Sequence, residues 1–184
     1  ANIRYLHHLG EVTYFSPLAD TSLPDVGFVY LPGGYPELYL AALSANRQML
    51  QSIRRYVESG GKLLAECGGM MYLCDEIRDK NGDVYPMAGV LHQSATMENM
   101  KLRLGYRTLL YNETRLKGHE FHYSRLVEQQ NPLPSCAVAY TAKGVETDTP
   151  LYHYKNVWAG YTHLYWADPV GNEWFTKFVI DGNT

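Results

Sequence analysis

A chain of 184 residues that is 46% apolar and 19% charged has the makeup of a soluble globular domain with a sizeable core. Its net charge of −3 offers no polyanion-binding surface, so nucleic acid is not expected as a partner. No apolar run approaches the roughly 18 residues that span a bilayer, no signal peptide precedes the first residue, and the three cysteines are too few and too odd for a disulfide framework, so a cytoplasmic protein without a membrane partner is expected.

The opening ANIRYLHHLG reads as a helix with Ile3, Tyr5, Leu6 and Leu9 apolar and no capping residue ahead of it, as expected of a chain cut from something longer. Residues 11–16, EVTYFS, read as a strand. Residues 26–31, VGFVYL, read as another, short and continuously apolar, as a strand covered on both faces would be. It ends in PGGYPE. From Ser44, taken as the N-cap, Met49, Leu50, Ile53, Tyr56 and Val57 fall at helical spacing until Gly60-Gly61 stop the run. KLLAE (62–66) is again a strand, and GGMMYLCDEI (68–77) reads as a short helix with Met70, Leu73, Cys74 and Ile77 inward.

Residues 26–77 therefore read strand, loop, helix, strand, loop, helix, the pattern of a parallel α/β unit. Parallel strands end on one edge of their sheet. If the two strands are neighbours, PGG (32–34) and ECGG (66–69) meet at the carboxyl edge, where open α/β sheets place ligands. After NGD (81–83), a turn signal, strand-like pieces follow at 104–111, 119–127, 136–142 and 150–166, read as β structure added beside the parallel sheet. No linker, repeat or low-complexity tract divides residues 1–184, which read as a single domain.

Cys67 stands at the strand-to-helix corner A-E-C-G-G. The mechanics are those of the G-x-S-x-G nucleophile elbow, with Ala65 in place of the first glycine. A thiol at a helix N-terminus is favoured as thiolate. Lowering a pKa of about 8.5 by ~2 units raises the ionised fraction at pH 7 from ~3% by roughly 25-fold. The backbone N–H of Gly68, with that of Gly33 or Gly34, would supply an oxyanion hole. The competing reading, a small buried apolar cysteine, suits Cys74 and Cys136 better.

A cysteine nucleophile wants a base, and seven histidines are available. His7 and His8 read as solvated and His92 as a loop residue; His119, His122, His153 and His163 stay open, because spacing does not choose among them. A metal site is not expected: no paired C-x-x-C or H-E-x-x-H occurs, and His119 and His122 on one strand face opposite ways. No P-loop is present, so nucleotide chemistry is not expected here.

YLPGGYPELYL, AECGGMMYL, MAGVL, LGYR, GHEFHYS and GYTHLYW follow one another from residue 30 to 166. Together they resemble, over nearly the whole chain, the glutaminase domain of the cobyrinate (or hydrogenobyrinate) a,c-diamide synthases, in the cobyric-acid-synthase-like branch of the class I glutamine amidotransferases. ECGG with GGYPE marks the branch, and GHEFHYS points within it to the a,c-diamide enzymes. The resemblance implies a flavodoxin-like three-layer α/β sandwich with a mostly parallel central sheet. It implies Cys67 as nucleophile and His163 as base. The wider class carries a glutamate two residues after that histidine; here the position is Tyr165, whose hydroxyl would not stabilise imidazolium as a carboxylate does, so the third member of the triad is open.

The implied reaction is hydrolysis of glutamine, the ammonia amidating the a and c carboxylates of a corrinoid acceptor. ATP and Mg2+ would serve an N-terminal synthetase domain of the parent protein, absent here along with the family's first strand; this chain would need no cofactor of its own. Arg103 or Arg107 would hold the glutamine α-carboxylate, surface charge being the competing reading. His122 would sit near the site or face the synthetase domain, with a structural role the alternative. Loss of that domain would bare an apolar docking surface and favour self-association, for instance as a homodimer. The alternatives are the glutaminase of a cobyric acid synthase, of a nickel-tetrapyrrole a,c-diamide synthase or of a lipid II amidating enzyme, and a non-enzymatic docking domain.

Overall fold

The computed structural model describes residues 2–181; Ala1, on which the missing cap of the first helix falls, and residues 182–184, the far end of the 1–184 span, lie outside it. In chain order α1 (Asn2–Leu9) leads to β1 (Phe28–Leu31), a 3-10 turn at Pro36–Leu38, α2 (Leu40–Ala45), α3 (Arg47–Glu58), β2 (Lys62–Glu66) and α4 (Gly68–Leu73). β1 and β2 are parallel neighbours in register, Leu31 opposite Ala65. Both are covered on both faces. Val29, Leu31, Leu63 and Ala65 face a core shared with α2, α3 and α4, whereas Phe28, Tyr30 and Leu64 face a second core shared with α1 and the C-terminal helix.

Three local readings are corrected. Residues 11–16 form no strand. They run past the outer edge of β1, and an apolar slot of about 610 Å3, lined by Ile3, Leu6, Val12, Phe15, Phe28 and Tyr30 among others, separates the two. A β-competent sequence with no ladder partner at about 4.8 Å stays irregular. The cap of α3 is Asn46, not Ser44, which lies inside α2. The Asn46 carboxamide does two jobs: Oδ1 accepts the Met49 N–H at 3.3 Å, and Nδ2 donates to the carbonyls of Pro17 and Asp20 at 2.8 Å each. Finally, α4 ends at Leu73 and the chain turns extended at Cys74, because Cys74 and Asp75 bond across to Gly89 and Gln93 instead of continuing the helix. Met70, Leu73, Cys74 and Ile77 are buried all the same.

The remaining strands are β3 (Glu76–Arg78), β4 (Val84–Pro86), β5 (Ser94–Thr96), β6 (Arg103–Tyr111), β7 (Thr114–His122), β8 (Arg125–Leu126), β9 (Val138–Thr141), β10 (Glu146–Thr147), β11 (Leu151–Tyr154), β12 (Val157–Gly160) and β13 (His163–Leu164). α5 (Pro169–Thr176), capped by the Asp168 carboxylate on the Gly171 N–H, runs into a π-helical turn at Lys177–Asp181. β12 does not lie beside the parallel sheet but extends it: the central order is β1-β2-β12-β11, with β12 parallel to β2 and β11 antiparallel at the edge. Trp158 on β12 is fully buried and packs edge-on against Tyr111 and Trp174. Two further sheets, β10-β9-β6-β7-β13 and β4-β3-β5-β8, complete the mixed α/β architecture.

Candidate active site

In-register pairing of β1 with β2 brings the two glycine loops together at the carboxyl edge. The contact is tight. A Cβ on Gly68 would stand 2.5 Å from the Gly34 carbonyl oxygen, and one on Gly69 would stand 2.4 Å from that of Leu31. Gly33 and Gly34 have φ of +110° and +137°, a region open in practice to glycine alone.

Cys67 sits at the corner with φ 50° and ψ −113°, a conformation that costs a non-glycine residue on the order of 1–3 kcal/mol. Hydrogen bonds on both sides hold it there. Its N–H donates to the Gly160 carbonyl at the end of β12 (2.8 Å), and its carbonyl accepts the Met71 N–H in α4 (3.0 Å). The sulfur lies 3.9 Å from the Phe121 carbonyl of β7.

Of the histidines, His163 is the one brought to this sulfur. β13 follows β12 by two residues and pairs with β7, His163 opposite His119. A Cβ on Gly33 would be 3.0 Å from His163 Cε1 and 3.5 Å from Cys67 Cβ, so loop, imidazole and thiol share one small volume. Hydrogen bonding to Cys67 first, then to Glu66, pushes the His163 pKa up to about 10, against the opposing effect of burial. The contacts thus favour the cationic form of the imidazole. His119 stacks on it at 5.1 Å between ring centroids, and burial followed by the charge of His163 holds its pKa below the ordinary imidazole value.

Glu66 is the residue that sequence reasoning passed over. Its carboxylate is 1% exposed. Oε2 accepts the Tyr30 hydroxyl at 2.7 Å and faces His163 Nδ1 at 3.4 Å, while Oε1 accepts the Leu164 N–H at 3.0 Å. The signal was available: a carboxylate at the last position of a strand covered on both faces must be buried, and a buried charge requires partners.

The other candidates have partners of their own. Tyr165 is half-exposed; its N–H donates to the Lys117 carbonyl at 2.8 Å, and its hydroxyl makes no hydrogen bond among the described residues. Alternation along β7 puts His119 and Phe121 on the outer face and Glu120 and His122 beneath. There His122 stacks on Tyr161 at 3.8 Å, and its Nδ1 lies 2.9 Å from the Ser124 carbonyl. Arg107 folds under β6 to Glu120 (2.9 Å, the carboxylate buried and the guanidinium partly so), while Arg103 makes a two-pronged surface pair with Asp148. His7 and His8 are exposed on α1, His92 meets Asp75 on the surface, and His153 stacks on Trp158. Among the described residues no group of three or more His, Cys, Asp and Glu side chains is placed to hold a metal ion, and no helix is long and apolar enough to cross a membrane.

A strained cysteine elbow, an imidazole beside it and a facing glycine loop are the parts that cysteine amide hydrolysis would need. The family model of the CobB/CobQ-like glutamine amidotransferase domain matches residues 1–170. The chain belongs to that family. It is 40% identical over 171 residues to the hydrogenobyrinate a,c-diamide synthase of Pseudomonas aeruginosa, covering 90% of this chain and 38% of that protein. It is 39% identical to the cobyrinate a,c-diamide synthase of Fusobacterium nucleatum, again covering 89% of this chain and 38% of the relative. The chain thus spans under two fifths of the length of these curated relatives. Among solved structures, that of PurLQS from Thermotoga maritima aligns with a TM-score of 0.52 at 17% identity, over 79% of this chain and 72% of that one, a likeness of fold.

Proposed function

We propose that this chain is the glutaminase part of a cobyrinate or hydrogenobyrinate a,c-diamide synthase, acting in cobalamin biosynthesis in the cytoplasm. The observation that carries the reading is the meeting of Cys67, His163 and the Gly33 loop in one small volume at a strained elbow, within a glutamine amidotransferase domain.

The Cys67 sulfur attacks the side-chain carbonyl carbon of glutamine. The oxygen that becomes negative is held by the N–H groups of Gly68 and of Gly33 or Gly34. The His163 imidazolium gives its proton to the amide nitrogen, which leaves as ammonia, and a glutamyl thioester remains on the sulfur. Neutral His163 then takes a proton from water, hydroxide attacks the thioester carbon, glutamate leaves and the thiolate–imidazolium pair returns. For the glutamine α-carboxylate Arg103 is the better of the two candidate arginines. Releasing an exposed ion pair costs about 0–1 kcal/mol, whereas taking Arg107 from Glu120 would strand a fully buried carboxylate, which costs more.

The ammonia would pass to carboxylates of a corrinoid that the rest of the parent chain activates with ATP and Mg2+. The docking face for that part is the outer face of the β6–β7 hairpin. Leu104 pairs across the strands with Phe121 and Tyr106 with His119, and Tyr123 lies beside Phe121. Leu104 (58% exposed) and Tyr106 (76%) are large apolar groups left to solvent next to the ring that stacks on His163.

The test is glutamine-dependent ammonia release. The chain is expected to release ammonia, with the rate removed by Cys67→Ser and by His163→Ala. Release that survives Cys67→Ser would overturn the reading; a chain that binds its synthetase partner while the assembled pair hydrolyses no glutamine would identify a docking domain instead.

A further inference from the structure

Imidazole chemistry at a thiol depends on which ring nitrogen carries which hydrogen bond. The glutamate that the wider class places two residues after the histidine is Tyr165 here, and its hydroxyl makes no hydrogen bond among the described residues. A carboxylate arrives from the opposite direction, from the residue before the nucleophile. We propose that Glu66 is the positioning residue of this site: its carboxylate takes the Nδ1–H of His163 and so leaves Nε2 to face the Cys67 sulfur.

Three contacts carry the assignment. Oε2 lies 3.4 Å from His163 Nδ1 across a sequence separation of 97 residues. Oε1 accepts the N–H of Leu164, so one carboxylate fixes both the ring and the backbone beside it. The Tyr30 hydroxyl, 2.7 Å from Oε2, holds the carboxylate from the far side, and it comes from β1, whose end leads into the Gly33–Gly34 loop. The groups facing His163 are therefore Cys67 and Glu66 from β2 and its elbow, His119 from β7, and the uncharged Gly33 loop, with Tyr30 acting through Glu66. The alternation of β2 supplies the geometry. Leu63 and Ala65 face the helical core, so Leu64 and Glu66 point the other way, toward Tyr30 and β13.

The inference concerns the glutaminase reading but is read out without it. In Glu66→Gln the side chain keeps its size and loses its charge, and its amide can offer a donor to Nδ1, which selects the wrong tautomer. Expected are a kcat lower by roughly 10²–10⁴-fold with KM changed little, and a His163 titration moved from about 10 toward the ordinary imidazole value. NMR of the imidazole nitrogens and the pH dependence of Cys67 alkylation by iodoacetamide report the shift even in a chain that hydrolyses nothing. Tyr30→Phe is the second variant. It frees Oε2 for His163 alone and is expected to move the titration upward, opposite in sign to Glu66→Gln, so the question survives if the first variant does not fold. An unchanged His163 titration in Glu66→Gln, or an unchanged or lowered one in Tyr30→Phe, would overturn the assignment and leave Glu66 a structural anchor. A shifted titration in a chain without glutaminase activity would sink the function and keep the assignment.

Discussion

At Gly68 one methyl group would push apart two loops that the site needs in contact. The obstructing atoms are the Gly34 carbonyl oxygen at 2.5 Å and the Pro36 ring at 2.7 Å, neither of which has a rotamer to move. Gly68→Ala is expected to cost about 1–3 kcal/mol of stability as an overpacked contact. A displacement of about 1 Å at the oxyanion donors is expected to lower glutamine hydrolysis by roughly 10²-fold. Urea denaturation and steady-state kinetics on the same sample check both, and a variant with wild-type kinetics would remove Gly68 from the oxyanion hole. This residue was legible in the sequence, as were Cys67, Gly33 and Gly34, because elbow and loop are local patterns of a few residues. Glu66 stands in the same pattern, but the pattern assigns it no role; its proposed role depends on Tyr30, His163 and Leu164, which lie 36 to 98 residues away.

The elements show the same division between local and distant information. α3 and the strands β1 and β2 were readable from periodicity because their burial follows from their own residues. EVTYFS has the composition of a strand too, yet strands exist only in pairs, and the slot between residues 11–15 and β1 leaves it without one. The entry of β12 into the central sheet was likewise invisible. It pairs Val157 with Leu63 and Gly160 with Glu66, and this long-range register carries His163 to the elbow. Residue spacing alone therefore left four histidines open, whereas the order β2-β12 followed by β13 on β7 brings one of them to Cys67. Helix ends were misplaced for a similar reason. Asn46 wins the cap of α3 because Pro17 and Asp20 come within reach of its amide.

For the whole molecule, the outer face of β6–β7 is the feature that a larger assembly explains. A row of Leu104, Tyr106, Phe121 and Tyr123 beside the site is costly to leave in water, and under the proposed function it would seat the partner that receives ammonia. The chain by itself is expected to associate in a concentration-dependent way through this face, and Leu104→Lys with Tyr106→Lys to abolish the association in sedimentation velocity. A wild-type chain that stays monomeric from about 1 to 100 µM would argue against the face as a docking surface. The central claim is that Cys67 is the nucleophile. It is tested most directly by peptide mass spectrometry after incubation with a glutamine analogue bearing an electrophilic diazoketone in place of its amide. Burial pushes the Cys74 thiol up strongly and that of Cys136 up to about 11, so neither competes. One adduct per chain, on Cys67 and absent from Cys67→Ser, is the expected result; labelling that spares Cys67, or falls on Cys74 or Cys136 instead, would contradict it.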